Sequence, residues 1–141
     1  MGIRDFGIVI DTNVIISSLV FGGKPKELME SVLRERLRVY TSPQLISELL
    51  DILRKKFNFS EGKLKLLEKE ILKHFKTVYP TKRVVIARDV KDNKVLEAAV
   101  ESDSEIIVTG DKDLLSIKKY GKIIIIKPSE FLDFLIKLQT R

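Results

Sequence analysis

The sequence contains no cysteine, which excludes disulfides and thiolate metal centres. His74 is its one histidine, so a zinc site or a Ser-His-Asp triad would have to rest on a single imidazole. No apolar stretch nears the roughly 18 residues that a membrane span requires. Arg4 and Asp5 interrupt the N-terminal segment where the apolar core of a signal peptide would lie. A cytoplasmic protein without membrane contact is therefore expected. Only two glutamines occur, while 33% of residues are charged, a balance also met in heat-stable proteins with Lys/Glu-rich surfaces.

With thiolate absent and imidazole scarce, the ligand stock is carboxylate, amide and hydroxyl oxygen, which selects hard cations such as Mg²⁺ or Mn²⁺. The net charge of +6 and pI near 9.5 favour a polyanionic partner, of which nucleic acid is the obvious kind. A chain of 141 residues is a common size for one domain, and a single domain over residues 1–141 is expected.

The stretch around which the rest is arranged is GIVIDTN, Gly7 to Asn13. Ile8, Val9 and Ile10 form an apolar β-branched run suited to a strand buried on both faces, and the run stops at Asp11. Further apolar runs at Leu37–Thr41, Val84–Ile86, Glu105–Thr109 and Ile123–Ile126 predict four more strands, the last of buried type. Helical spacing predicts helices over 14–20, 25–36, 43–57, 63–75, 93–102, 111–117 and from Pro128 onward. Ser42-Pro43 places a cap and an N1 proline in their preferred order. Strands alternating with helices predict an α/β/α sandwich around a parallel sheet of four to five strands. Two consecutive helices between Ser42 and Tyr79 are expected to form a helical arm beside it.

In such sheets ligands bind outside the carboxyl ends of the strands. Four acids fall where that edge would gather them: Asp11 after the first strand, Glu48 in a helix, Asp92 at a helix start, and Asp111 past a strand. Each alone is weak evidence, and Asp11 is as readily a helix cap. Together they would repel unless a divalent cation sat among them, and one or two such ions can assist phosphoryl displacement by water.

VIDTNVIISSL, PQLISELLDIL, DVKDNKVLEAAV and EIIVTGDKDLL resemble, in that order, the signature segments of PIN-domain ribonucleases. The resemblance is to the prokaryotic branch that includes the toxins of toxin-antitoxin pairs, and it covers nearly the whole chain. It implies a Mg²⁺- or Mn²⁺-dependent endoribonuclease in which Asp11, Glu48, Asp92 and Asp111 are the metal-binding and catalytic acids. Asn13, Thr12, Thr109, Asn93 and Asp113 would then support them. An ungapped count back from Thr109 puts Asn93 at the third acidic position; Asp92 is preferred because only a carboxylate brings negative charge, and Asp89 is a further substitute. Arg88, Lys91, Lys94 and Lys112, nearest the acids in sequence, would hold the RNA backbone. Tyr40 and Phe21 are candidates to stack a base, although core packing is the expectation for both. An antitoxin partner and a homodimer are further implications.

The main rival is a phosphorylated receiver domain, with Asp89 as phosphoacceptor, Thr109 as its hydroxyl and Lys127-Pro128 as the terminal pair. Against it, Thr12 stands where receivers place a second acid. A haloacid-dehalogenase-like phosphatase would need an aspartate where this chain has Asn13. A PIN-like fold that binds RNA without cutting it is the third alternative.

Overall fold

A computed structural model describes residues 2–139, with elements in the following order. β1 (Gly7–Ile10) leads into α1 (Thr12–Val20) and α2 (Gly23–Arg34), then β2 (Arg38–Thr41), α3 (Pro43–Phe57), α4 (Glu61–His74) and β3 (Lys76–Thr77). After a loop come α5 (Val90–Glu101), β4 (Ile106–Val108), α6 (Lys112–Ile117), β5 (Lys119–Tyr120), β6 (Ile123–Ile126) and α7 (Pro128–Gln139). The strands form one sheet in the order β3-β2-β1-β4-β6-β5, parallel except for β5, which runs antiparallel to β6.

The strands that run nearest the centre are the most apolar because both their faces are covered. Ile8, Ile10, Ile106 and Val108 face one side, where α1, α2, α3, α4 and α7 supply Val14, Leu28, Leu49, Leu64 and Phe131. Val9 and Ile107 face the other, against Leu96, Ala98 and Ala99 of α5 and Leu114 of α6. The alternation along β1 and β4 thus feeds two helix layers, giving the expected sandwich. Gly7 is required by this packing: a Cβ there would lie 2.8 Å from Ser104 Oγ and 3.0 Å from Ser104 Cα.

Three expectations are corrected. Val84–Ile86 is a loop, not a strand: Val85 is 84% exposed and only Val84 is buried. Its amide groups are claimed by side chains instead of a neighbouring strand, Val84 N–H donating to Glu97 Oε2 at 3.0 Å and Ile86 N–H to Asn93 Oδ1 at 3.2 Å. The sheet gains two strands too short for any periodicity to reveal, Lys76–Thr77 and Lys119–Tyr120. In β6, Ile123 and Ile125 are buried but Ile124 is exposed, so this run of isoleucines alternates and is not buried on both faces. The topology also removes the receiver alternative, whose strand order of 2-1-3-4-5 does not place β1 beside β4.

Candidate active site

Asp11 sits at the carboxyl end of β1, where the chain leaves the sheet and turns directly into α1. It occupies the N-cap position, yet its side chain makes no capping bond and is free for another role. The Thr109 hydroxyl, fully buried at the end of β4, donates to Asp11 Oδ2 at 2.7 Å and accepts from Asp111 N–H at 3.0 Å. One hydroxyl therefore ties the acid after β1 to the turn after β4. The Thr12 hydroxyl lies 3.4 Å from Asp11 Oδ1 and 3.3 Å from Glu48 Oε1, linking α3 to the same point. Asn13 Oδ1 accepts from Gly110 N–H at 3.3 Å and holds the β4–α6 turn in place.

Asp92 lies in the first turn of α5 and Asp111 caps α6, accepting from Leu114 N–H at 2.9 Å. Asp92, Asp111 and Asp113 each present a carboxylate oxygen within 4.8 Å of the others. Burial pushes the Asp92 carboxyl up to about 7, helped by a hydrogen bond to Asp111 that favours the protonated form and by the charges of Asp111, Asp11 and Asp89. Burial also raises Asp11, opposed by its bonds from Thr109 and Thr12 and reinforced by the charge of Asp111. Glu48, half-buried, is raised by desolvation and by Asp11. All three shifts have one origin: acids gathered in a place that water reaches poorly. The oxygen donors fit a hard divalent cation, which would relieve that repulsion.

Residues 7–113 match the family described as PIN domain. The chain belongs to the PIN domain family. A relative from Methanocaldococcus jannaschii, described as an uncharacterized protein, is 36% identical across 82% of this chain and 79% of its own. The fold resembles the crystal structure of VapBC2 from Rickettsia felis bound to a DNA fragment from their promoter (TM-score 0.61, 11% identity, 86% of this chain and 98% of that one). It also resembles the PIN domain endonuclease Utp24 (TM-score 0.55, 19% identity, 86% and 84%).

Asp92 and Asn93, the two candidates for the third position, face different neighbours. Asp92 faces the other acids, whereas Asn93 faces the 84–87 loop, accepting from Ile86 and Ala87 N–H and donating to Ala87 O. Asp89 caps α5, accepting from Lys91 N–H at 3.0 Å, and is not one of the three gathered carboxylates. Asp113, expected only to support the site, supplies one of them; its place in the first turn of α6, two residues past Asp111, was the available signal.

Of the basic residues, Arg88, Lys91 and Lys112 are exposed. Lys94 instead pairs with buried Glu97 at 3.2 Å. Phe21 is not a core residue: it is 76% exposed and meets Phe57 edge to face at 6.4 Å. Tyr40 is half-buried, its hydroxyl accepting from Arg38. A cleft of about 680 Å³ opens beside Glu48 between α3 and the start of α5, a feature that sequence reasoning missed.

Proposed function

We propose that this PIN domain is a Mg²⁺- or Mn²⁺-dependent endoribonuclease that hydrolyses RNA phosphodiester bonds in the cytoplasm, and that it is the toxin of a toxin-antitoxin pair. The observation that carries the reading is the convergence of Asp92, Asp111 and Asp113 on one point beside buried Asp11. Structural acids are normally given cationic or amide partners; Asp111 has one in Leu114 N–H, yet the three carboxylates still face one another.

A divalent cation held by Asp11, Asp92, Asp111 and Glu48 would supply charge stabilisation for phosphoryl oxygens and a source of hydroxide near neutral pH. The chain's own contributions follow from its hydrogen bonds. Thr109 fixes the Asp11 carboxylate in one orientation while positioning the Asp111 backbone. Thr12 holds Glu48 near Asp11, and Asn13 anchors the turn that carries Asp111. A carboxylate of the cluster would accept the proton at one of its oxygens as water attacks phosphorus. Exposed Arg88, Lys91 and Lys112 would meet the RNA backbone.

The toxin reading is supported by the four ordered motifs and by the likeness of fold to VapBC2; an antitoxin partner and a homodimer belong to the same reading. The decisive experiment titrates Mg²⁺ or Mn²⁺ into purified protein with single-stranded RNA, structured RNA and DNA. Metal-dependent RNA cleavage to 5′-phosphate products, stopped by a chelator, is expected. No cleavage at any metal concentration would overturn the nuclease reading. Growth arrest on expression, relieved by the product of the adjacent reading frame, tests the toxin assignment.

A further inference from the structure

The cleft beside Glu48 has a composition that the chemistry of the four acids does not explain. One wall is the outer face of α3, from Glu48 through Ile52 to Lys55 and Lys56 in its last turn; the other is the start of α5, with Val90 and Lys91. Val90 is 68% exposed, an unusual place for a valine on a helix that buries its opposite face. Among the described residues, Lys55 and Lys56 take part in no ion pair; Lys91 sits close enough to Glu48 for its charge to favour that carboxylate, nearby Asp51 is engaged by Arg54 at 2.9 Å, and Lys94 by Glu97 at 3.2 Å. The cleft is therefore acidic where it meets the site, with Lys91 beside that acid, apolar at Ile52 and Val90, and cationic at its far end through Lys55 and Lys56. Its volume of about 680 Å³ lies within the range of small-molecule pockets.

We propose that this α3–α5 cleft is a subsite for a single-stranded RNA segment flanking the cleaved bond, with a base against Ile52 and Val90 and phosphates on Lys55, Lys56 and Lys91. An unpaired base offers an apolar face to such a floor, and the next phosphate along the strand carries the charge that the lysines lack. A duplex keeps its bases stacked inside and cannot reach the floor, so the cleft selects single strands. Because Glu48 belongs to both cleft and acid cluster, the strand would run from the subsite directly to the candidate metal. This subsite rests on the nuclease reading, but its binding test does not require cleavage.

The test measures binding of a short single-stranded RNA to the Asp11→Asn protein across a salt series, with and without the pair Lys55→Ala/Lys56→Ala. The exposed pair Lys65→Ala/Lys69→Ala on α4 is the control of equal charge. Loss of the cleft lysines is expected to weaken binding about tenfold and to reduce the slope of log affinity against log salt by about 0.7 per lysine. In the protein with Asp11 intact, the same pair should raise KM with kcat unchanged. An effect equal to that of the α4 pair would reduce the result to net charge and overturn the subsite, as would unchanged affinity or selective loss of an acidic peptide's binding. Absence of cleavage with the predicted binding loss intact would sink the nuclease reading and leave the cleft as a binding site for single-stranded RNA.

Discussion

Asp92 and Glu97 lie little more than one helical turn apart on α5, and both are buried, at 8% and 6% exposure. Their surroundings are opposite. Glu97 pairs with Lys94 and accepts from Val84 N–H, so that its charge is answered from two sides and the 84–87 loop is fastened down. Asp92 is answered by other acids, and its carboxyl is driven to about 7. Burial alone thus says little about what an acid does. The partner set separates a carboxylate that holds the fold from one that the fold holds ready.

The largest effect expected from breaking this contrast is on catalysis. Asp92→Asn or Asp11→Asn should lower RNA cleavage on the order of a thousandfold or more, while circular dichroism shows the fold unchanged. Full activity in either variant would remove that residue from the site. Both should melt no lower than the parent in metal-free buffer, since each deletes a charge that its neighbours disfavour.

The next effect is pH dependence without metal. The folded Asp92 carboxyl titrates near 7 and an unfolded one near 3.9, so the folded chain binds the extra proton between those values. Stability contributed through this group should therefore fall as pH rises from about 4 to about 7, then level off. Asp11, also raised by burial, adds in the same direction. Melting curves at pH 5 and pH 8 check the sign, and Mg²⁺ should raise the melting temperature more at pH 8, where the acids are ionised.

Glu97→Ala should act in the opposite way. It leaves Val84 N–H without its acceptor and costs about 2 kcal/mol in denaturant unfolding. Cleavage by the surviving folded fraction should stay within about tenfold of the parent, because the residue touches no member of the acid cluster. The smallest effect belongs to an acid-base cluster at the surface. Arg54 bonds Asp51 at 2.9 Å and Glu61 at 2.6 Å, but all three are exposed, so Arg54→Ala should leave both the melting temperature and cleavage within measurement error.

The same contrast explains what was readable beforehand. β1 and β4 announced themselves because strands covered on both faces admit only apolar side chains, and the acids just past their ends followed from that geometry. Ser42 and Pro43 marked the start of α3 because the cap bond from Leu45 N–H is a local event. The direction of a side chain relative to a distant element is not local. Val84–Ile86 has the composition of a strand, yet a buried glutamate and asparagine on α5 claim its amides. Asp92 and Asn93 differ by one helical step of about 100°, and only the placement of α5 against the sheet decides which of them turns inward. The cleft was invisible for a related reason, since its two walls come from segments some 40 positions apart.

The Thr109 hydroxyl meets Asp11 across 98 positions of sequence. A polypeptide still emerging from the ribosome has Asp11 and Glu48 long before it has β4, and without β4 the innermost register of the sheet cannot close around them. On the proposed function, nascent fragments should consequently be harmless to the transcripts beside them during translation, and the competence to cut should arise late, when Ile8–Ile10 pairs with Ile106–Val108.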